Sequence, residues 1–228
     1  MQLLVSPRDI EEAKRSLAAD IVDVKKPDEG SLGANFPWVI RAIKELSTKP
    51  VSAAIGDYDF KPGGASLAAH GAAHAGADYI KIGLMFDGAD RAAEVIRNVV
   101  KAVKMDFPEK YVVIAGYSDH DRLGTISPFE ITPLAAAAGA DVAMMDTGMK
   151  DGKSTFEFMT EADLVEFTRL NREAGLKTAL AGSLKFEDIG TLKRIDPDII
   201  GVRGMVCGGD RASSIREDLV AKLAGMVR

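Results

Sequence analysis

Three apolar runs in this chain carry lysines where a buried strand should be ending, each with a carboxylate close by in sequence. They are Ile21-Val22-Asp23-Val24-Lys25, Tyr79-Ile80-Lys81-Ile82-Gly83 and Met144-Met145-Asp146-Thr147-Gly148-Met149-Lys150. Burying an unpaired ammonium costs several kcal/mol, so a lysine in an apolar strand needs a reason. One reason is structural, a plug of mutually neutralising ion pairs. The other is chemical. Clustered cations depress one another's pKa and leave a free amine near neutrality. A free amine condenses with a carbonyl to a Schiff base, an electron sink for carbon chemistry. A second lysine can then move protons while the aspartates hold the array. A single Lys–Asp pair would favour the plug; three lysines and two aspartates at one rim favour the chemistry.

Short apolar runs alternate with longer amphipathic ones along the whole chain. Strands are expected at 2–5, 21–25, 51–55, 79–83, 111–115, 142–146, 177–181 and 199–203. Helices are expected at 7–18, 37–46, 66–75, 91–103, 128–138, 161–174, 187–195 and 214–226. Eight strand–helix units in regular succession suit a parallel sheet with crossover helices. Gly76, Gly139 and Gly175 fall where helices should stop. No linker or shift in composition interrupts residues 1–228. The expectation is therefore an α/β protein with one domain, a closed TIM (β/α)8 barrel. The alternative, an open dinucleotide-binding sheet, lacks its fingerprint, because Pro7-Arg8-Asp9 occupies the first turn.

In such a barrel, reactive groups sit at the C-terminal ends of the strands. Alternate residues of a strand share a face. With Val22 and Val24 turned to the helices, Asp23 and Lys25 face inward, and Lys26 falls outside the cluster. With Ile80 and Ile82 outward, Lys81 faces inward. Asp146 ends the sixth strand, and Lys150 lies just beyond it. The loops after the seventh and eighth strands are rich in glycine, at Gly182, Gly204, Gly208 and Gly209, with Ser183 among them. In this fold those loops cradle phosphate through backbone N–H groups. Arg203 or Arg211 could add charge there.

Other features carry less. His70 and His74 are spaced for one helix face but have no third ligand, so no metal site is expected. His120 and Asp57 follow strands at the reactive end, where a solvated loop side chain is the simpler reading. Cys207 reads as a small buried residue and cannot form an internal disulfide. Residues 28–37 are long for a strand-to-helix connection and could fold over the mouth as a lid. The net charge of −5 and the lack of a basic block argue against nucleic acid. No run is apolar enough to span a bilayer, and the start lacks the pattern of a signal peptide. A cytoplasmic location is the resulting expectation, and self-association into a homo-oligomer is compatible with the sequence.

Several stretches resemble the (5-formylfuran-3-yl)methyl phosphate synthases nearly end to end. They are Asp-Val-Lys-Lys-Pro-Asp-Glu-Gly-Ser-Leu-Gly-Ala-Asn-Phe-Pro-Trp (23–38), Gly-Ala-Asp-Tyr-Ile-Lys-Ile-Gly-Leu (76–84), Asp-Val-Ala-Met-Met-Asp-Thr-Gly-Met-Lys-Asp-Gly-Lys (141–153), Ala-Leu-Ala-Gly-Ser-Leu-Lys (179–185) and Gly-Val-Arg-Gly (201–204). The resemblance implies a TIM barrel acting without a metal or cofactor. It would condense two molecules of glyceraldehyde 3-phosphate to 4-(hydroxymethyl)-2-furancarboxaldehyde phosphate, with loss of phosphate and water. That furan is the precursor of methanofuran-type one-carbon carriers. It further implies Lys25 as the Schiff-base lysine and Lys81 as the proton acceptor, with Lys150, Asp23 and Asp146 completing the site. The expected course is an imine on Lys25, an enamine after proton loss to Lys81, and attack of that enamine on the second aldehyde. The same lysines would also serve a class I aldolase acting on another sugar phosphate, and a non-catalytic sugar-phosphate-binding barrel is a third alternative.

Overall fold

The computed structural model describes residues 1–227. Eight strands run β1 (Gln2–Val5), β2 (Ile21–Val24), β3 (Val51–Tyr58), β4 (Tyr79–Leu84), β5 (Tyr111–Tyr117), β6 (Val142–Asp146), β7 (Lys177–Leu180) and β8 (Ile199–Val202). All pair in parallel with their sequence neighbours, and β8 closes on β1 through Gln2↔Ile199 to Val5↔Val202. The helices among the described residues are α1 (Ile10–Lys14), α2 (Pro37–Leu46), α3 (Pro62–His74), α4 (Ala89–Lys104), α5 (His120–Leu123), α6 (Pro128–Ala138), α7 (Glu161–Glu173), α8 (Ile189–Ile195) and α9 (Glu217–Val227). None of them is long and apolar enough to cross a membrane.

Strand parity divides the core into two parts. Val22, Val24, Ile80, Ile82, Ala143 and Met145 join the large layer between sheet and helices. Ile21, Tyr79, Val113, Val142, Met144 and Ile199 join a smaller cluster that fills the barrel interior. The longer α-helices turn an apolar face to the sheet. In α4 the stripe is Ala92, Val95, Ile96, Val99, Val100 and Val103, a helical period. Buried apolar area of this extent is the main stabilising term of the barrel.

The N-terminal end of the barrel is pinned by a repeated device. An aspartate just before each even strand accepts the backbone N–H of a neighbouring odd strand. Asp20 takes Leu3 N at 2.9 Å, Asp78 takes Val51 N at 2.7 Å, Asp141 takes Val112 N at 2.7 Å and Asp198 takes Thr178 N at 2.8 Å. Each charge-assisted bond satisfies a donor that has no strand partner at that edge.

Two boundaries differ from expectation for local reasons. The first helix is short because the Asp9 side chain caps Glu12 N, which starts it late, and it closes at Arg15. β3 runs on to Tyr58 through a register shift between Ala54 and Asp57, with Gly56 at φ +132°. Such a bulge inserts one residue and reverses the facing of the residues beyond it. Val51, Ala53 and Ile55 face the helices, yet Asp57, of the same parity, turns inward against Leu32 and Tyr117.

Candidate active site

β2, β4 and β6 bring Asp23, Lys25, Lys81 and Asp146 together above the apolar filling of the barrel, and the loop after β6 adds Lys150. Asp23 and Lys81 are almost fully buried. Lys81 Nζ donates to Asp23 Oδ2 at 2.7 Å, and Ser6 Oγ donates to the same oxygen at 2.8 Å. Burial works against the Asp23 charge, but Lys81 and Lys25 outweigh it and hold the carboxyl below its usual range. The Ser52 hydroxyl also favours the carboxylate, although it falls short of a full hydrogen bond and Asp23 Oδ1 has no donor.

Asp146 makes the second pair. Its Oδ1 accepts Lys150 Nζ at 2.7 Å and Thr147 N at 2.8 Å. Burial pushes its pKa up, yet Lys150 and Lys25 bring it down to about 2. Lys150 Nζ also donates to Thr147 Oγ1 at 2.9 Å.

Lys25 stands apart. It is buried, and its Nζ donates to the Ser31 carbonyl at 3.2 Å. Among the described residues no carboxylate reaches it within ion-pair distance; Lys81 and Lys150 have taken the two that are near. Its pKa falls from 10.5 to about 8. The first cause is burial; Asp146 and Asp23 oppose the fall, while Lys81 and Lys150 assist it. The expectation from sequence gave mutual repulsion as the cause, and the structure corrects it. Desolvation dominates, because each of the other lysines is neutralised by its own aspartate.

Gly182, Ser183, Gly204, Gly208 and Gly209 line one cleft of about 760 Å³ that also reaches Lys25, Lys81, Asp146 and Lys150. Gly182 at φ +96° and Ser183 at φ +51° turn the chain sharply after β7. A Cβ on Gly182 would stand 2.2 Å from Thr155 Oγ1, so glycine is needed for space as well as for conformation. Among the described residues, the N–H groups of Gly182, Ser183 and Leu184 meet no backbone acceptor. Both arginines border the cleft, but their guanidinium groups are committed differently. Arg203 is buried and structural, donating to Glu12 Oε2 at 2.7 Å, to Ser6 O at 2.8 Å and to Arg211 O at 2.8 Å. Arg211 is half-buried on the cleft wall, with burial lowering its pKa.

The remaining sequence candidates lie elsewhere. Lys26 pairs with Glu29 at 2.6 Å at the surface. His70 pairs with Asp106 at 2.9 Å, and His120 sits beside Asp121 at the start of α5. Cys207 is buried under the β8 loop, where burial pushes its thiol up. The 28–37 segment does cover part of the mouth. Ser31 Oγ donates to Thr147 O at 2.8 Å, and Leu32 N donates to Asp57.

Comparison with known proteins decides the family of a chain with this geometry. Residues 3–224 match the 4-HFC-P synthase family. This chain belongs to that family. A (5-formylfuran-3-yl)methyl phosphate synthase of Methanosarcina barkeri is 60% identical over 228 residues, covering 98% of this chain and 97% of the relative. One from Archaeoglobus fulgidus is 52% identical over 229 residues, with coverage of 98% and 97%. Among solved structures, 3-hexulose-6-phosphate synthase superposes with a TM-score of 0.68 at 18% identity and full coverage of both chains. Orotidine 5'-monophosphate decarboxylase of Methanocaldococcus jannaschii also reaches 0.68, at 16% identity, covering 100% of this chain and 98% of that one. These two likenesses speak to the fold alone.

The chain is thus an enzyme of a synthase family, built on a closed eight-stranded parallel barrel. Several site groups in it were missed in the sequence. Ser6 and Tyr117 share the inward parity of Leu4 and Ala115, so the alternation of their strands could have found them. Asp57, read from the sequence as a solvated loop side chain, instead lies within β3 and faces inward, because the bulge inverts its facing. Asp119 is buried and accepts Gly148 N at 2.7 Å and Met149 N at 3.0 Å, which shapes the turn that delivers Lys150.

Proposed function

We propose that this protein converts two triose phosphates into (5-formylfuran-3-yl)methyl phosphate through an imine on Lys25. The observation that carries this is the unequal treatment of three lysines: Lys81 and Lys150 are each tied to a carboxylate at 2.7 Å, and Lys25 is tied to none. An amine must be unprotonated to attack a carbonyl. With its pKa at about 8, Lys25 is unprotonated far more often near neutrality than an ordinary lysine at 10.5.

The reaction begins when Lys25 Nζ adds to the aldehyde of one glyceraldehyde 3-phosphate, and water leaves to give an iminium. The Lys81 ammonium passes a proton to Asp23 along their buried hydrogen bond; the amine so freed takes the proton from the adjacent carbon, and the electron pair becomes the enamine. Asp23 keeps the Lys81 amine in position through their buried hydrogen bond. The enamine expels the phosphate from C3, and the enol form of what remains is nucleophilic at that carbon. The product's skeleton now constrains the partner. With the formyl carbon taken as C1 of the Lys25-bound triose, the new bond joins its C3 to C2 of the triose that keeps its phosphate. That C2 is an electrophile only as a ketone. The second triose therefore reacts as its ketone isomer, formed by proton transfer from C2 to C1, rather than as the aldehyde that was expected. Ring closure through the freed hydroxyl, loss of two waters and hydrolysis of the imine complete the furan. In sum, two glyceraldehyde 3-phosphates give the furan phosphate, one phosphate and two waters.

The retained phosphate fits the cleft wall formed by the free N–H groups of Gly182, Ser183 and Leu184, with Arg211 facing the same space. Lys150, held by Asp146, lines the same cleft and can stabilise negative charge that develops on oxygen during elimination. Incubation with glyceraldehyde 3-phosphate and borohydride tests the core of this. A reduced adduct on Lys25 and a near-ultraviolet furan product are expected. An adduct on Lys81 or Lys150 instead, or turnover that survives Lys25→Ala, would overturn it.

A further inference from the structure

Asp57 and Tyr117 lie outside the cleft lining, yet they are joined to the Lys25 amine through one peptide group. The peptide between Ser31 and Leu32 has its carbonyl on Lys25 Nζ, at 3.2 Å. Its N–H points the other way, to the Asp57 carboxylate, at 3.0 Å to Oδ2 and 3.2 Å to Oδ1. The Tyr117 hydroxyl in turn donates to Asp57 Oδ1. A peptide plane is rigid, so fixing its N–H fixes the direction of its C=O.

The surroundings are built for this contact. Asp57 faces inward only because of the bulge in β3. A Cβ on Gly83 would stand 2.0 Å from the Tyr117 hydroxyl, and one on Gly30 would stand 2.2 Å from Asp57 Oδ2. Two glycines on separate elements thus leave the room the pair occupies. Burial and the Asp57 charge raise the Tyr117 pKa well above its ordinary value, so the phenol keeps the proton it donates. On the far side, Ser31 Oγ holds Thr147 O at 2.8 Å, which ties the same residue to the turn that carries Lys150.

We infer that Asp57 and Tyr117 are positioning residues for the imine-forming step, aiming the Lys25 amine through the 31–32 peptide. This rests on Lys25 being the Schiff-base lysine. Neither residue touches the reacting atoms. Their effect is on the direction of the Lys25 side chain and on keeping bulk water from it. Asp57→Ala removes the acceptor for Leu32 N and frees the peptide to rotate. Asp57→Asn keeps an acceptor oxygen of the same reach. Tyr117→Phe removes only the donor that orients the carboxylate.

The test is the rate of borohydride trapping on Lys25 with glyceraldehyde 3-phosphate, together with kcat and KM, in wild type and all three variants. Asp57→Ala should slow trapping and lower kcat by about 10²-fold, the usual penalty for a misplaced reactive group, with KM little changed. Tyr117→Phe should show the same split to a smaller extent. Asp57→Asn should stay within about threefold of wild type, because the hydrogen bond to Leu32 survives. Tyr117→Phe removes a single oxygen and guards against a misfolded Asp57→Ala, with thermal melting as the check on both. If wild type traps on Lys25 while Tyr117→Phe and a folded Asp57→Ala trap at the wild-type rate, the inference is wrong. Loss spread equally over kcat and KM, with no rescue by asparagine, would also overturn it. Absence of a Lys25 adduct in wild type would instead sink the Schiff-base assignment itself.

Discussion

Replacing Lys25 with methionine should end imine formation and, in the same stroke, make the folded protein more stable at neutral pH. The Lys25 pKa drops from 10.5 to about 8, with burial as its leading cause. Below pH 8 the group is charged in both folded and unfolded states, and the fold bears the full cost of burying it. Between about 8 and 10.5 the unfolded chain holds a proton that the folded one has released, so stability rises with pH across that window. Above 10.5 both states are neutral and the cost is gone. At about 1.4 kcal/mol for each pH unit, that window amounts to about 3 kcal/mol. Methionine has a similar length and no charge, so Lys25→Met should recover about that much at pH 7. For a chain of this size the melting temperature should rise by roughly 6–12 °C. Urea denaturation of wild type and Lys25→Met at pH 7 and at pH 10.5 measures it directly. The variant should lead at pH 7 and lose its lead at the higher pH. Equal stability at pH 7, or a lead that persists unchanged at high pH, would show that Lys25 bears no burial cost and that the reasoning fails.

The other predictions bear on separate parts of the site. Trapping of glyceraldehyde 3-phosphate on Lys25, followed by mass spectrometry across pH 6–10, should climb with a midpoint near 8; a midpoint above 10 would mean an ordinary lysine. Lys81→Met strands the buried Asp23 carboxylate and should cost about 3–5 kcal/mol in urea, much of it regained in the double variant with Asp23→Asn; a loss below about 1 kcal/mol would show the pair to be open to water. Gly182→Ala forces a Cβ toward Thr155 Oγ1 and Thr147 N at φ +96°, so KM for the triose phosphate should rise at least about tenfold. An unchanged KM would move the phosphate away from the β7 loop.

Much of this architecture could be read directly from the chain. Alternation within Ile21–Lys25 and Tyr79–Gly83 determines which side chains face the interior, because the helix layer demands the β-branched residues. That alone places Asp23, Lys25 and Lys81 correctly. What escaped is informative. Asp57 defied its parity because one extra residue at the β3 bulge changes nothing in composition and everything in facing. Arg203 and Arg211 look alike in sequence, and only the distant Glu12, across the β8–β1 closure, decides that the first is structural. The cause of the depressed Lys25 pKa was also out of reach. It depends on which lysine is left without a carboxylate, and that is a matter of distances among strands rather than of residue types.

The four aspartates at the N-terminal end of the barrel reach further than their own hydrogen bonds. Each fixes the foot of an even strand against its odd neighbour, and each of those strands carries its ionic groups toward its upper end. Asp23 and Lys81 stand three residues above Asp20 and Asp78; Lys25, Asp146 and Arg203 stand five above Asp20, Asp141 and Asp198. At about 3.3 Å per residue, those are two storeys, at about 10 and 16 Å. The lower storey is the buried Asp23–Lys81 couple, which the cleft reaches at Lys81, and the upper stands nearer the cleft's mouth. A slip of one residue at any foot would swing that strand's ionic groups out among the helices, so the vertical spacing of the chemistry is set at the end of the barrel farthest from it.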